Sequence, residues 1–265
     1  MALSYTEFKA KVSSLCGIDL TLYKSQQMDR RINSLMTLWG VEDYDAYWKL
    51  LNTNPVKYQE FVKKLTINVS EFFRNPERFM ELWEDIFPLL LKERPKIKVW
   101  SAGCSNGAEP YSVAIILNEL SALSRAVILG TDIDQVVLNK AQTGAYTHNE
   151  VKSLPGNLLH KYFQEKAGYY YLTDSIKQAV SFQKQNLLLE EFDEGYDLII
   201  CRNVVIYFTE AAKNELYRKF YQSLRSGGYF MVGGTEPLLN YKALGFENIS
   251  SSIYKKAVSS NRKID

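Results

Sequence analysis

The sequence predicts an α/β protein with a doubly wound, mostly parallel sheet, preceded by an all-helical N-terminal domain. From residue 97 onward, buried strand-like runs alternate with helical stretches, which is the pattern of a parallel sheet with right-handed crossovers. Before residue 66, helix caps and helical spacing recur without a strand pattern. The length of 265 residues allows either one large domain or two modest ones.

Four helices are expected in the N-terminal domain, residues 1–66. The first follows Ser4, which forms a capping-box pattern with Glu7. The second runs from about Thr21 to Trp39, where apolar residues recur at helical spacing. The third and fourth begin at Asp43 and at Asn54-Pro55.

Residues 67–96 are expected to form a linker and a helix that contributes to the ligand site, and residues 97–265 the sheet domain. Strands are predicted at four places, Ile97–Ala102, Ala126–Gly130, Tyr196–Cys201 and Tyr229–Gly233. The intervening helices are predicted at Pro110–Leu123, Asp134–Ala141 and Thr209–Leu224.

The segment from about 145 to 190 interrupts this alternation and is interpreted as a β insertion. It contains a short helix at 158–163 and two strands, Tyr169–Leu172 and Val180–Phe182, that we expect to pair antiparallel. The joint between these strands, 172–176, is short and lacks glycine.

Composition excludes several classes of protein. No apolar run approaches the ~20 residues of a membrane span and no secretory signal is present, so a soluble, cytoplasmic protein is expected. Three separated cysteines and only two histidines disfavour a metal site, and none is assigned. A net charge of +2 argues against a general nucleic-acid binder. The absence of an obvious coiled coil favours a monomer.

Ligands of open parallel sheets bind at the carboxyl ends of the strands, where the loops 101–110 and 130–134 fall. The first loop carries Gly103 and Gly107 but no lysine after them, which disfavours a triphosphate. A bland strand-to-helix turn explains it equally well. Glu109 lies at the helix start, where it favours the helix dipole or binds a ligand amine. Asp132 is placed to accept hydrogen bonds from ribose hydroxyls, whereas Asp134 is better explained as a helix cap.

These two loops together are typical of nucleoside binding without a polyphosphate, as with S-adenosylmethionine. The loop after the later strand adds Arg202, Asn203 and Tyr207, residues that taken singly are more often structural than catalytic. Asn186 falls on the same rim, near where an adenine base would be read.

A basic edge lies on the second predicted helix. Lys24 and Arg31 lie seven residues apart on one edge, Arg30 points further toward water, and Asp29 is the one acid among them. An ordinary solvated face and a docking surface for an acidic partner both explain this pattern.

Four motifs in order give the chain a resemblance to the CheR family, the chemotaxis receptor methyltransferases. They are Asn68-Val69-Ser70-Glu71-Phe72-Phe73-Arg74, residues 100–112, Thr131-Asp132-Ile133-Asp134, and residues 201–208. The resemblance spans essentially the whole chain. It implies methylation, by S-adenosylmethionine, of glutamate side chains on the cytoplasmic helices of chemoreceptors, with glutamate methyl esters and S-adenosylhomocysteine as products.

The resemblance also implies the site residues. Cofactor contacts fall on Asn68, Ser70, Arg74, Gly103, Glu109, Asp132, Asn186, Leu187, Arg202 and Asn203. Ser70 stands where many relatives have threonine, and Asn106 and Ala108 replace the commoner Thr and Glu. The run from Gly233 to Glu236 differs from the form that often carries His-Ser-Glu and is assigned no catalytic role.

A glutamate carboxylate is ionised at neutral pH, so its methylation needs no general base. We expect Arg74 to steer that carboxylate and Tyr207 to orient it by a hydrogen bond; closure of Arg74 over the cofactor is an equal alternative. Lys24, Arg30 and Arg31 become docking candidates for the acidic receptor surface. The short joint in the β insertion favours the subgroup that does not bind a receptor-tail peptide.

Two rivals remain open. One is a methyltransferase of the same fold acting on a nucleic acid or a small molecule, which the near-neutral charge disfavours. The other is a non-enzymatic reader of S-adenosylmethionine. The presence of Arg74, Asp132 and Tyr207 favours an enzyme.

Overall fold

The structure is a computed structural model that describes residues 2–66, 68 and 70–258. The chain divides into two compact units. The helical unit contains the described residues through Asn68 together with Ile206–Glu215, and the sheet unit contains 70–205 and 216–258. The segment 206–215 groups with the helical unit, although it lies within residues 97–265, which the sequence assigns to the sheet domain.

The helical unit contains four helices, α1 Tyr5–Cys16, α2 Ser25–Leu38, α3 Tyr44–Thr53 and α4 Pro55–Thr66. The capping box of Ser4 and Glu7 is present at the start of α1, and the Asp43 carboxylate accepts a hydrogen bond from the amide of Ala46 at the start of α3. The second helix begins later than predicted, because Leu20–Leu22 forms a separate 3-10 turn.

Aromatic packing forms the core of the helical unit. The Tyr47 ring stacks on Phe8 at 4.8 Å between centroids and meets Phe61 edge-on at 5.9 Å. All three side chains are fully buried. The Tyr47 hydroxyl donates to the carbonyl of Ile32, 3.2 Å away, so the one polar atom in this cluster is satisfied and links α3 to α2.

The sheet unit contains ten strands, seven complete helices and the second part of an eighth. The strands are β1 Ile97–Ala102, β2 Ala126–Asp132, β3 Ala145–Tyr146, β4 Phe163–Lys166, β5 Tyr169–Leu172, β6 Val180–Lys184, β7 Tyr196–Cys201, β8 Leu224–Val232, β9 Phe246–Asn248 and β10 Ile253–Lys256. The helices are α5 Pro76–Glu81, α6 Phe87–Glu93, α7 Ala108–Glu119, α8 Gln135–Thr143, α9 His148–Val151, α10 Leu158–Tyr162, α11 Asp174–Lys177 and α12 Glu210–Ser223, which begins in the helical unit. A π-helical turn, Leu82–Ile86, joins α5 to α6.

Seven strands form the main sheet in the order β6-β2-β1-β7-β8-β10-β9. Pairing is parallel from β6 to β8, and β10 runs antiparallel to both of its neighbours. The predicted mostly parallel sheet is therefore confirmed. The carboxyl ends of β6, β2, β1 and β7 meet at one edge, where their loops are brought together.

The interpretation of Val180–Phe182 as an antiparallel strand of the insertion is wrong. This segment is β6, which pairs parallel with β2 and forms the edge of the main sheet. The residue types indicated a strand, but a strand's partner and direction depend on residues distant in sequence. The separate small sheet is β3-β5-β4.

The hairpin joint was also misplaced. Strands β4 and β5 are joined at Ala167-Gly168, and residues 174–177 form α11 rather than part of a turn. Both joint residues have positive φ, 52° for Ala167 and 77° for Gly168, so the tight turn does contain a glycine. The glycine-free joint predicted at 172–176 is therefore not the hairpin turn. It gives no reason to expect that a receptor-tail peptide is not bound.

In the described part of the chain, no helix is both long and apolar enough to cross a membrane. No three histidine, cysteine, aspartate or glutamate side chains of this described part are grouped in a way that would hold a metal ion.

Candidate cofactor site

The loop after β1 is shaped by two glycines. Gly103 and Gly107 have φ of 79° and 82°, which favour glycine. A Cβ atom on Gly103 would lie 2.5 Å from the Val204 side chain, and one on Gly107 would lie 2.9 Å from the Phe182 ring. The amides of Gly103 and Cys104 both donate to the Thr131 carbonyl, so the loop is tied to the end of β2.

Asp132 at the end of β2 accepts backbone hydrogen bonds on both carboxylate oxygens. The amide of Ser105 donates to one oxygen at 2.8 Å and the amide of Asp134 to the other at 3.0 Å. Each oxygen has a second lone pair for a ligand hydroxyl. Burial raises the pKa of Asp132 to about 6, against the effect of these amides. Asp134 caps α8 by accepting from the amide of Val136, as predicted.

Glu109 and Arg202 form a buried ion pair. Their side chains are 13% and 2% exposed, and Arg202 Nη1 lies 3.4 Å from Glu109 Oε2. The Ser101 hydroxyl donates to the other Glu109 oxygen at 2.8 Å. Burial raises the pKa of Glu109, while the Arg202 guanidinium opposes that rise. The pair joins the start of α7 to the end of β7.

The segment around Arg74 is pinned to these same loops. Arg202 donates through Nη2 to the Arg74 carbonyl at 2.8 Å and to Asn75 Oδ1 at 2.7 Å. The Phe73 amide donates to the Ser112 hydroxyl of α7 at 3.0 Å. The Arg74 cation lies close enough to Glu109 to favour that carboxylate's ionised form. Arg74 thus lies beside the acid at the start of α7.

Asn106 links the glycine loop to both neighbouring segments. Its side-chain amide lies 2.7 Å from the Glu150 carboxylate of α9 and 3.5 Å from the carbonyl of Ser70. The Tyr146 hydroxyl donates to the Asn106 carbonyl at 2.9 Å. The asparagine that departs from the family's commoner threonine therefore braces the loop against the insertion.

Asn186 and Leu187 follow β6 on the same rim as Asp132. The amide of Gln185 donates to the Asp132 carbonyl at 2.9 Å, which holds this turn beside the end of β2. The Asn186 side chain accepts from the Leu188 amide at 3.0 Å, and Leu187 is buried. The parallel pairing of β6 brings this turn to the rim.

Glu236, to which the sequence assigns no catalytic role, supports the loop after β7. Its buried carboxylate accepts from the amide of Asn203 at 2.5 Å and from the amide of Gly233 at 3.1 Å. Asn203 has a φ of 59°, in the left-handed region. The carboxylate stabilises the loop in that conformation. In the sequence, this role is indicated only by the position of the acid, soon after two glycines at a strand end.

The structure brings most of the predicted cofactor residues together within the sheet unit. These are Ser70, Arg74, Gly103, Glu109, Asp132, Asn186, Leu187, Arg202 and Asn203. Asn68 and Tyr207 belong to the helical unit. There Asn68 donates to the Thr66 hydroxyl, and Tyr207 ends a 3-10 turn, Val205–Tyr207.

The three docking candidates differ in their surroundings. Arg30 is exposed and Lys24 is half-buried at the start of α2. Arg31 is also half-buried, donates to the Leu65 carbonyl at 2.6 Å and lies over the Tyr207 ring. The neighbouring Asp29 binds the Tyr5 hydroxyl and pairs with Lys9 at 3.5 Å.

The donors and acceptors of the rim fit a nucleoside that also carries an amine. Asp132 offers acceptors for ribose hydroxyls, and Glu109 is an acid for a ligand amine. Two buried atoms in these loops, Arg202 Nε and Ser105 Oγ, have no hydrogen-bond partner in the described structure, which suits a polar ligand. Fold and site together define a class I S-adenosylmethionine-dependent methyltransferase.

Comparison with known families gives the particular group. Residues 68–255 match the family described as CheR methyltransferase, SAM binding domain, and residues 3–66 match CheR methyltransferase, all-alpha domain. The chain belongs to the CheR methyltransferase family, and S-adenosylmethionine is its cofactor.

Full-length relatives agree with this assignment. The chain is 37% identical over 253 residues to the chemotaxis protein methyltransferase of Listeria monocytogenes, covering 95% of this chain and 97% of that protein. The protein of the same name from Listeria innocua is 38% identical with the same coverage. That from Borreliella burgdorferi is 35% identical over 254 residues, covering 91% and 89%.

Proposed function

We propose that this protein acts in chemotaxis by methylating glutamate side chains on the cytoplasmic helices of chemoreceptors, forming glutamate methyl esters. The family assignment covers both the all-alpha domain and the cofactor domain, and the chain spans nearly the whole of relatives named chemotaxis protein methyltransferases. We assign the docking role to residues 1–66 and the cofactor role to residues 67–265.

The chemistry of the site carries the choice of a carboxylate acceptor. Both histidines lie outside the cofactor loops, on α9 and α10. Burial raises the pKa of Cys104 and of Cys201, so these nearby thiols stay protonated. Glu109 and Asp132 are already engaged by an ion pair and by backbone amides. Since none of these described side chains is free to act as a base, the site suits an acceptor that is ionised before it arrives.

The reaction then needs positioning more than proton transfer. The cofactor supplies an electrophilic methyl group on a sulfonium. Transfer of that methyl group to a carboxylate oxygen would leave the electron pair of the broken carbon–sulfur bond on sulfur, as a neutral thioether. In this proposal, Arg74 steers the substrate carboxylate and Tyr207 orients it by a hydrogen bond.

Replacement of Arg74 separates its two suggested roles. If Arg74 steers the acceptor, Arg74→Ala lowers kcat by about 10- to 100-fold and changes cofactor affinity little. Steady-state kinetics and calorimetry measure the two quantities. Equal losses in both would show that Arg74 closes over the cofactor instead, a role that its position beside Glu109 also permits.

The basic edge of α2 is proposed to dock the receptor. Lys24 and Arg30 would approach the acidic surface of the methylation helices. Their charges would favour association with the receptor, and this effect would decrease as the salt concentration rises. The position of Arg31 points to a different role, argued below.

Methyl transfer to a receptor cytoplasmic fragment tests the function. The protein is incubated with cofactor labelled on the methyl group, and the product is treated with mild base. A glutamate ester releases the label as methanol, whereas a methylated amine or nucleic acid retains it. Base-stable label, or label on nucleic acid, would overturn the proposal.

A matched acceptor sharpens this result. The same receptor fragment with its labelled glutamates replaced by glutamine keeps the helix but lacks the nucleophilic carboxylates. We expect base-labile label to disappear from it. Binding of cofactor without transfer to any receptor fragment would instead support the non-enzymatic reader.

A further inference from the structure

The segment that carries Tyr207 is built into the helical unit by backbone hydrogen bonds. The amide of Lys24 donates to the Tyr207 carbonyl at 2.9 Å, and the amide of Thr209 donates to the Leu22 carbonyl at 2.9 Å. Tyr23 and Phe208 form an isolated antiparallel bridge, with their rings edge-on at 5.1 Å. These contacts fix the backbone on both sides of Tyr207, but leave its side chain to be oriented by something else.

Arg31 contacts that side chain directly. Its guanidinium lies 4.5 Å from the centroid of the Tyr207 ring and also interacts with the Tyr207 hydroxyl. A flat guanidinium over an aromatic face restricts the ring to one orientation, which a flexible ammonium does less well.

The other side of Arg31 is anchored to α4. Nη1 donates to the Leu65 carbonyl at 2.6 Å, in the last turn of that helix. A cation at a helix C-terminus is favoured by the helix dipole and by the carbonyls that lack helical partners. Burial lowers the pKa of Arg31, and the hydroxyl of Tyr207 counters part of that effect. Arg31 thus bridges the end of α4 and the Tyr207 ring.

This environment differs from that of a docking residue. Arg30, one position earlier, is exposed, whereas Arg31 is half-buried with its charge directed to Leu65 and Tyr207. A receptor-binding role would require Arg31 to leave these contacts.

We propose that Arg31 is a positioning residue, which holds the Tyr207 side chain in the orientation that methyl transfer requires. The inference rests on the proposed role of Tyr207 in that reaction. It separates the three basic residues into a docking pair, Lys24 and Arg30, and a residue of the helical unit that acts on turnover through Tyr207.

Four variants test the proposal in the full-length protein. Arg31→Met should lower kcat for the receptor fragment about tenfold or more, because the Tyr207 hydroxyl is no longer held in place. Arg31→Lys keeps the charge but not the planar fork, and should recover only a small part of the loss. Arg30→Met removes the same charge one residue away and should raise KM at low salt with little change in kcat. In a Tyr207→Phe background, Arg31→Met should lower kcat by less than about twofold, because the two residues act as a unit.

Hydrogen exchange supplies a readout that does not depend on activity. Arg31→Met should speed exchange at the amides of Lys24 and Thr209, which flank Tyr207, while the α7 amides of the sheet unit stay protected. Tyr207→Leu removes the ring but leaves the bond from Arg31 to Leu65, and should speed the same two amides. If Arg31→Met unfolds the helical unit, Tyr207→Leu still shows whether contact with the Tyr207 ring holds this segment in place.

Several results would overturn the proposal. They are wild-type kcat in Arg31→Lys, a salt-dependent KM effect as the sole consequence of Arg31→Met, additive losses with Tyr207→Phe, or unchanged exchange at both amides in Tyr207→Leu. Failure of the proposed function looks different. In that case the wild-type protein makes no base-labile ester, while the exchange measurements still show whether Arg31 holds the Tyr207 segment.

Discussion

Two regions with proposed roles in methyl transfer, one in each unit, are held by different means. The cofactor loops of the sheet unit are fixed by buried charge and backbone amides, with Asp132, Glu236 and the pair of Glu109 with Arg202 each bonded more than once. The Tyr207 segment of the helical unit is fixed by two backbone bonds and one cation over its ring. The first arrangement is a network of several buried polar bonds, whereas the second has few bonds and depends on one half-buried arginine.

This difference leads us to expect that one region controls cofactor affinity and the other controls turnover. Cofactor affinity should depend on the dense network in the sheet unit, because ligand atoms must meet donors and acceptors already in place. Turnover should be sensitive to the Tyr207 segment, where a small displacement changes alignment without changing cofactor contacts. Variants in each region should therefore alter different constants.

The largest effect on cofactor affinity is expected from Asp132→Asn. The substitution removes the charge that ribose hydroxyls would meet and turns an amide NH₂ toward one of two backbone N–H groups. Affinity for S-adenosylhomocysteine should fall by about 100-fold in calorimetry. Asp134→Asn is the matched control, because asparagine can still cap α8 and affinity should be nearly unchanged.

A smaller loss is expected from Gly233→Ala. A Cβ atom at this position would overlap the Glu236 carboxylate and lie 3.1 Å from the Asn203 amide. Displacing Glu236 frees the left-handed Asn203 loop, so cofactor affinity should fall about tenfold. Gly234→Ala is a close control, since nothing lies within 4 Å of its added carbon. Equal losses in both variants would show that Glu236 does not position Asn203.

Cofactor affinity should also fall in mild acid. Burial raises the pKa of Asp132 to about 6, and ribose hydroxyls donate best to its ionised form. Affinity is therefore full above that pKa and declines as pH falls below it, by about tenfold per unit at most. Titration calorimetry from pH 8 to pH 5 measures the decline, which Asp132→Asn should reduce. Burial also raises the pKa of Glu109. The Asp132→Asn variant should therefore keep a weaker decline of cofactor affinity in acid.

The local parts of this architecture were readable from the sequence. The capping box of Ser4 and Glu7, and the cap at Asp134, depend on residues within four positions of each other. The glycine loop and the acid after β2 were found because strand, turn and helix are consecutive there. Spacing alone was sufficient for these features.

Features that depend on distant partners were missed. The parallel pairing of β6 with β2 joins Val180 to Ile128, and the bond from Asn203 to Glu236 joins two strand ends. The bond from the Lys24 amide to the Tyr207 carbonyl cannot be predicted from either segment alone. Because these contacts depend on tertiary packing, the sequence grouped Arg31 with Lys24 and Arg30 as a docking candidate.

The smallest effect is expected from the basic edge of α2. Replacing Lys24 and Arg30 together by methionine should raise KM for the receptor fragment about two- to fivefold at low salt, because exposed charges each contribute little. The difference from wild type should shrink at high salt, where such charges are screened. Kinetics at two ionic strengths measure this, and a salt-independent change would contradict the docking role.

The division between the two regions is tested most directly by measuring two constants on two variants. Cofactor affinity and kcat for the receptor fragment are determined for Asp132→Asn and for Tyr207→Phe. The account predicts that Asp132→Asn weakens cofactor binding and that Tyr207→Phe lowers kcat about tenfold or more while cofactor affinity stays within twofold of wild type. A Tyr207→Phe variant with weakened cofactor binding and unchanged kcat at saturation would contradict it.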